Sequence, residues 1–290
     1  MSPSDRSSQQ ITLKHGRKLG FAEWGNAQGR PVIVFIGGSS RLAYPTVDLP
    51  DIRLITVDRP GLGLSDFQPN RTLLDVPDDV IELVDALGIG QLAVIGISQG
   101  GPAALACAYK IPDRLMAVSA VSSLAPLDSP ELAKQMTKPV KTFARLANEF
   151  PVALKAQSAL AAWMVRANPQ WTFKQVLHSL PSEDRAIFNA NPELCAVFVK
   201  DLVETYRQGS RGSAQEGLLA YRPWGFRLED IRAKVYVWHG ENDSSVPLAM
   251  ARYLARTIPN CQATYVANEG HFLGLKYWTE ITAQLLAHQP

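Results

Sequence analysis

Apolar and polar positions alternate along the chain in two periods, one typical of strands and one typical of helices. The segment "ITLKHGRKLGFAEWG" predicts an antiparallel hairpin, and "PVIVFI" and "DIRLITVD" predict buried strands. The run "QLAVIGI" is apolar on both faces, which is typical of a central parallel strand covered by helices. The later runs "LMAVSAVSS", "KVYVWHG" and "ATYVANEG" predict further strands of the same sheet.

Helical periodicity appears between these strands. In "RTLLDVPDDVIELVDALG" the apolar residues recur at the spacing of an amphipathic helix, and Gly88 suits its end. Further helices are predicted from about Pro247 to Thr257 and from about Tyr277 to His288. Because strands and helices alternate, the fold class is α/β, with a mostly parallel central sheet flanked by helices.

The pattern changes between residues 125 and 224, where strand-like runs are absent and only helices are predicted. We therefore expect a core domain formed by residues 1–124 and 225–290, with a helical insertion at 125–224. An insertion there would lie over the carboxyl ends of the strands, where open α/β folds bind ligands, so it is a candidate lid. The alternative is a helical subdomain that only covers apolar surface at the sheet edge.

Composition narrows the class of protein. The 290 residues are 46% hydrophobic and 19% charged, with a net charge of +2 spread along the chain, which argues against disorder and against nucleic acid as a partner. The polar start "MSPSDRSSQQ" and the lack of a long apolar run predict a cytoplasmic protein without a membrane span. Cys107, Cys195 and Cys261 are widely spaced, so we expect buried, reduced thiols and no metal site.

The stretch "LAVIGISQGGPAALACA" carries the first candidate for chemistry. Gly96 to Gly100 fit the pattern G-x-S-x-G between a predicted buried strand and a predicted helix, which places Ser98 on a sharp strand-to-helix turn. The glycines remove side chains that would collide in such a turn. Ser98 would also lie at the amino terminus of the helix, where free N–H groups favour developing negative charge.

A serine nucleophile needs a base and a group that orients the base. His15, His178 and His288 lie in a turn, in the insertion and at the tail, which leaves His239 and His271. Asp243 in "HGENDSSVP" follows a strand, and His271 in "VANEGHFLG" comes later still. The order nucleophile, acid, histidine favours Ser98, Asp243 and His271 as the catalytic residues. Glu241 is the main alternative acid.

Five segments resemble the α/β-hydrolase superfamily, in its lid-bearing group of small esterases. "PVIVFIGGSS" is similar to the oxyanion loop, "VDRPGLGLSD" to a conserved turn, "GISQGG" to the nucleophile elbow, "HGENDSSVP" to the acid loop and "NEGHF" to the histidine loop. The resemblance implies a triad of Ser98, Asp243 and His271 and a helical cap at the insertion. It also implies a structural role for Asp58, and we expect Arg59 to stabilise the turn or to lie at the surface.

The same resemblance implies an oxyanion hole formed by the backbone N–H of Gln99 and a second N–H from the loop after "VIVFI". Gly38 is the first candidate for that second donor, with Gly37 or Ser39 as alternatives. Ile36 stands where the family usually has a histidine that supports this loop. The Gln99 side chain could contact a polar group of the substrate or point away and support neighbouring loops.

The function expected from these residues is hydrolysis of an ester or related acyl compound without a metal or organic cofactor. The substrate would be a small molecule with an apolar acyl part. Lactonase, thioesterase, carbon–carbon bond hydrolase and perhydrolase activities use the same triad, and a receptor that binds ligand without turnover is the alternative of another class. Aromatic residues of the insertion could line its pocket: Trp163, Trp171, Phe173, Phe188, Phe198, Tyr206, Trp224 and Phe226.

Overall fold

A central sheet organises the protein, which a computed structural model describes for residues 6–43, 49–127 and 129–287. Its strands are, in chain order, β1 (Gln9–Thr12), β2 (Lys18–Gly25), β3 (Arg30–Ile36), β4 (Ile52–Val57), β5 (Leu92–Ile97), β6 (Leu115–Val121), β7 (Val235–Gly240) and β8 (Cys261–Val266). They lie in the order β1-β2-β4-β3-β5-β6-β7-β8. The pairs β1–β2 and β2–β4 are antiparallel, and the other neighbours are parallel. The prediction of a mostly parallel sheet is confirmed.

The helices follow the order that the hydrophobic periodicity predicts. In the described residues they are α1 (Val76–Ala86), α2 (Gly101–Lys110), α3 (Pro130–Lys134), α4 (Lys138–Asn148), α5 (Pro151–Ala167), α6 (Pro169–Ser179), α7 (Ser182–Asn189), α8 (Pro192–Thr205), α9 (Arg211–Tyr221), α10 (Leu248–Thr257), α11 (Leu273–Lys276) and α12 (Trp278–Ala287). None of these described helices is long and apolar enough to cross a membrane. His288, at the end of the last predicted helix, lies outside the described residues.

The sheet is covered on both faces. Leu83 of α1, Leu105 of α2 and Leu254 of α10 are fully buried in one hydrophobic cluster, and Trp278 and Leu285 of α12 are buried in the other. Truncation of such a leucine to alanine typically costs about 2–5 kcal/mol of stability. This packing holds the carboxyl ends of the parallel strands in fixed positions relative to one another.

Helices α3 to α9 occupy the segment between β6 and β7, where the sequence predicts only helices. Proline marks several of their starts because its missing N–H is not needed in a first helical turn. At three of these starts the preceding side chain accepts a hydrogen bond from the first turn: Ser129 from Leu132, Asn168 from Trp171 and Asn191 from Leu194. Local sequence therefore defines where these helices begin. We call residues 125–224 the helical segment.

The three cysteines are free, and Cys107 of α2 is buried, as expected. Burial raises the pKa of the Cys107 thiol. The expectation of burial is wrong for Cys195 and Cys261, which are half-buried. Cys261 begins β8, the last strand of the sheet order, whose residues are all half-buried or exposed.

Candidate active site

Ser98 lies at the sharp turn between β5 and α2. Its φ angle is +57°, a left-handed conformation that is unfavourable for a serine and typical of functional sites. The backbone also passes close to its neighbours at the two flanking glycines. A Cβ on Gly96 would lie 2.6 Å from the Ala104 Cβ, and one on Gly100 would lie 2.1 Å from the Phe35 carbonyl oxygen. The predicted sharp turn between a strand and a helix is therefore present at Ser98.

Three side chains that the sequence analysis selected meet at this turn. The Ser98 Oγ lies 2.9 Å from the His271 Nε2, and the His271 Nδ1 lies 2.8 Å from the Asp243 Oδ2. The residues come from three loops at the carboxyl ends of β5, β7 and β8. Because parallel strands end at the same edge of a sheet, residues 173 positions apart along the chain come into hydrogen-bond distance.

The Asp243 carboxylate is held on both of its oxygens. Oδ1 accepts hydrogen bonds of 2.8 Å from the backbone N–H groups of Ser245 and Val246, so that Oδ2 faces His271. His239, the other histidine candidate, is fully buried in β7, with its Nε2 2.9 Å from the Val246 carbonyl oxygen and 3.6 Å from the Asp243 Oδ2. His239 therefore packs behind the carboxylate and does not reach Ser98.

The local environments shift the pKa values of His271 and His239 in opposite directions. Burial by itself would lower the pKa of His271, but the hydrogen bond and the charge of Asp243, together with the charge of Asp184, outweigh it and raise the pKa above its usual value of 6.5. Burial dominates at His239 and lowers its pKa, so this imidazole is neutral near pH 7. His271 is therefore the imidazole that this site favours in the protonated form.

The alternative carboxylates of the sequence analysis lie elsewhere. Glu241 is exposed to solvent. Asp58 is fully buried 3.0 Å from the Arg41 guanidinium. The expectation of a turn-stabilising or surface position for Arg59 is wrong in its second part, because Arg59 is buried and forms an ion pair with Glu216 of α9. The helical segment covers Arg59 and removes it from solvent. The local sequence does not reveal this contact.

The loop after β3 lies against the turn at Ser98. The Gly37 N–H donates a hydrogen bond of 3.1 Å to the Ile97 carbonyl, so this candidate donor is already engaged. Gly38 has a φ angle of +66°, and a Cβ there would lie 4.0 Å from the Gln99 Oε1. The Gln99 side chain therefore extends beside Gly38.

A carboxylate from the helical segment supports this loop, which has Ile36 in place of the histidine usual in the resembled family. The Asp201 Oδ1 accepts hydrogen bonds of 2.8 Å from the Ser40 N–H and 2.6 Å from the Ser40 Oγ. Burial raises the pKa of Asp201 to about 7, although hydrogen bonds from Ser40 and Ser39 oppose the rise. Helix α8 therefore supplies a contact that holds the loop in place.

A cavity of about 440 Å³ opens above Ser98, between the turn at Ser98 and the helical segment. Its walls combine apolar side chains with uncharged polar ones: Ser98, Gln99, Leu124, Pro139, Val140, Phe143, Leu154, Gln157, Ser158, Ala161, Tyr206, Ser213, Gly217, Tyr221, Ser245 and Val246. None of these described lining residues carries a charged side chain. Burial without a partner is costly for a charged group, so the cavity favours a neutral ligand.

The sequence-based choice of aromatic lining residues is wrong for all but Tyr206. Trp163 and Trp171 are 66% and 50% exposed. Phe173, Phe188 and Phe198 pack with Phe272 in a separate cluster, and Trp224 and Phe226 join the main core. The aromatic residues that line the cavity are Phe143, Tyr206 and Tyr221. Helical spacing predicts a common face but does not show which face turns toward the cavity.

Two residues that the sequence analysis did not select anchor the His271 loop. The Ser122 Oγ, just after β6, lies 2.9 Å from the His271 carbonyl oxygen and donates to it. The Asp184 carboxylate, in the first turn of α7, accepts from the His271 N–H at 3.1 Å. An acidic residue in a first helical turn is common for reasons of helix polarity, so no local signal distinguished Asp184.

Curated relatives match most of the chain. A protein of Caulobacter vibrioides (strain NA1000 / CB15N) named "Putative carbamate hydrolase RutD" is 26% identical over 85% of this chain and 86% of its own length. The poly(3-hydroxyalkanoate) depolymerase of Ectopseudomonas oleovorans is 25% identical over 83% of this chain and 77% of its own length.

A solved structure and a family model also match this chain. The enol-lactonase from Burkholderia xenovorans LB400 superimposes with a TM-score of 0.67 at 20% identity, over 97% of this chain and 99% of that one. The sequence model of the alpha/beta hydrolase fold family matches residues 36–276. The chain therefore belongs to the alpha/beta hydrolase fold family and is a hydrolase.

Proposed function

We propose that this hydrolase cleaves an ester or a related acyl compound through a Ser98-His271-Asp243 triad. The observation that carries the proposal is the continuous line of hydrogen bonds from Ser98 through His271 to Asp243, of 2.9 and 2.8 Å, at the floor of the cavity. A nucleophile, a base and an orienting acid within these distances form the arrangement that serine hydrolysis requires.

The proposed reaction has two halves. His271 Nε2 takes the proton of Ser98 as the Oγ attacks the carbonyl carbon, and the protonated imidazole then gives that proton to the leaving group. The backbone N–H groups of Gln99 and Gly38 would stabilise the oxyanion, Gln99 because it follows the nucleophile at the helix start and Gly38 because the Gly37 N–H is engaged. In the second half His271 takes a proton from water, the water oxygen attacks the acyl carbon, and the protonated imidazole returns the proton to the Ser98 Oγ as the bond to the acyl group breaks.

The helical segment is proposed to act as a cap that shapes the substrate. Val140, Phe143, Leu154 and Ala161 form apolar walls, whereas Gln157, Ser158 and Ser213 present uncharged polar groups. This mixture fits a small neutral substrate with an apolar acyl part. The names of two curated relatives, a putative carbamate hydrolase and a poly(3-hydroxyalkanoate) depolymerase, support a substrate of the acyl class.

Covalent labelling tests the proposal directly. A fluorophosphonate probe should modify the folded protein at one site, and peptide mass spectrometry should place the label on Ser98, because only an activated serine reacts quickly with such a probe. Ser213→Ala, which removes another hydroxyl of the same cavity, should be labelled as fast as wild type. Folded wild-type protein that stays unlabelled would overturn the serine mechanism and favour binding without turnover.

The pH dependence of kcat/KM should report His271. Only the neutral imidazole accepts the Ser98 proton, so kcat/KM should rise with pH through a midpoint above 6.5, because the pKa of His271 is raised. Asp243→Asn should move this midpoint to lower pH, because it removes the main group that raises this pKa. A rate profile for a neutral p-nitrophenyl ester between pH 5 and 9 measures both midpoints, and a wild-type midpoint below 6.5 would contradict this account.

Acyl-chain preference should follow the cavity wall. Ala161→Phe adds a ring to α5 where it lines the cavity, so kcat/KM for an octanoyl ester should fall about 10-fold or more while that for an acetyl ester changes little. The matched control is Leu160→Phe on the same helix, since Leu160 is 56% exposed. A panel of p-nitrophenyl esters of increasing chain length measures the effect. Equal losses for short and long esters would show that acyl groups bind elsewhere.

A further inference from the structure

Asp184 of α7 reaches out of the helical segment to the loop that carries His271. Its side chain is fully buried, and each carboxylate oxygen accepts a hydrogen bond from the loop backbone. Oδ2 lies 3.1 Å from the His271 N, and Oδ1 lies 2.9 Å from the Phe272 N. Two consecutive N–H groups of the core are thus paired with one side chain of the helical segment.

The loop is built to bring its backbone against this carboxylate. A Cβ on Gly270 would lie 2.5 Å from the Asp184 Oδ1, a separation that Cβ atoms do not tolerate. Apolar packing adds to the contact, because the Phe188 and Phe272 rings, four residues beyond Asp184 and one beyond His271, lie 5.0 Å apart edge to face. The glycine before His271 in "NEGHF" is therefore explained by contact with α7.

We propose that Asp184 is a positioning residue, whose carboxylate fixes the backbone of His271 so that the imidazole spans Ser98 and Asp243. The inference rests on the proposed triad. Four contacts then hold the histidine from different elements. Asp184 binds its N–H, Ser122 donates to its carbonyl at 2.9 Å, Asp243 binds Nδ1, and Ser98 faces Nε2. The helical segment would thereby complete the catalytic geometry as well as cover the cavity.

The charge of Asp184 affects the pKa of His271, which a pH profile of the rate can measure. The charged and titratable groups that face His271 are Asp243 beside its ring, His239 behind Asp243, and Asp184 beside its backbone. On the loop itself, Glu269 is paired with Lys276. Asp243 contributes most to the raised pKa of His271, and the negative charge of Asp184 raises it further. Removing that charge therefore lowers the pKa of His271.

Asp184→Asn tests the proposal with almost no change in shape. The amide offers one acceptor where the carboxylate offers two, so either the His271 or the Phe272 N–H loses its partner. We expect kcat to fall about 10- to 100-fold with KM within about 3-fold, because a small displacement of a catalytic group has effects of this size. The pH midpoint of kcat/KM should also move downward. Glu183→Gln, at the exposed neighbouring position on α7, should change neither quantity.

Two results would overturn the proposal. One is unchanged kcat in Asp184→Asn, and the other is a lower kcat with the pH midpoint of wild type, which would show a purely structural role. Failure of the triad itself is distinguishable, because the fluorophosphonate probe would then leave wild-type Ser98 unlabelled. Labelled wild type with an Asp184→Asn variant equal to it overturns the positioning role alone.

A double-mutant cycle remains informative if single variants lose stability. Gly270→Ala forces a Cβ into the Asp184 carboxylate and should lower kcat in the wild-type background, whereas Asp184→Ala clears that space. The two changes should therefore be strongly non-additive, with Gly270→Ala nearly without effect on kcat in the Asp184→Ala background. Additive effects on kcat would contradict direct contact between this residue pair as the source of positioning.

Discussion

Ser98→Ala is expected to lower kcat by about 10⁶-fold while the protein keeps its fold, because loss of a serine nucleophile removes nearly all of the chemical advantage of a triad. The Ser98 Oγ is 2.9 Å from the His271 Nε2, and the shorter alanine side chain leaves His271 with no hydroxyl to activate. Kinetics with a neutral p-nitrophenyl ester measure the loss, and circular dichroism checks the fold.

The cavity offers a matched control in Ser213→Ala, which should keep kcat within about 3-fold because the Ser213 Oγ faces Tyr206 at 3.4 Å and not His271. Ser98→Gly should be as inactive as Ser98→Ala but more stable in urea by about 1 kcal/mol, since glycine adopts the φ of +57° without strain. More than about a tenth of wild-type kcat in Ser98→Ala would rule out Ser98 as the nucleophile.

Asp243→Asn is expected to lower kcat by about 10⁴-fold at neutral pH, a loss typical of triads whose histidine is held in the wrong tautomer. The structure shows why the wrong tautomer follows. The N–H groups of Ser245 and Val246 both point at Oδ1, so an asparagine would turn its carbonyl oxygen to them and its NH₂ toward His271. That NH₂ donates to Nδ1, and the neutral imidazole then carries its proton on Nε2, where it cannot accept from Ser98.

Two further variants test whether Asp243 is the group that orients His271. Glu241→Gln removes the exposed carboxylate that lies two residues earlier and should leave kcat unchanged. The double variant Ser98→Ala, Asp243→Asn should be about as inactive as Ser98→Ala alone, because residues that act as a unit have non-additive effects. If Asp243→Asn keeps kcat within about 10-fold of wild type, another group must orient His271.

Two buried carboxyl groups connect the helical segment to the loops beside Ser98. Asp201 and Asp184 connect α8 and α7 to the two loops that flank Ser98, through Ser40 and through His271. Each carboxylate is at least 97% buried. Because both contacts are buried hydrogen bonds to carboxyl groups, opening of the helical segment would disturb the two loops at the same time. We therefore expect substrate specificity and turnover to change together when this interface is altered.

The sequence by itself determined the order of strands and helices, the strained turn at Ser98 and the choice of Asp243 and His271 as its partners. The elements follow from local periodicity and the turn from glycines beside a serine, whereas the two partners follow from the order nucleophile, acid, histidine and from the resemblance to the hydrolase family. The tertiary structure alone decided which face of each helix turns toward the cavity, so Phe143 and Tyr221 line it while Trp163 is exposed. It alone also paired Asp184 with the His271 loop, because contacts between residues 87 positions apart depend on how whole elements pack and leave no mark in local sequence.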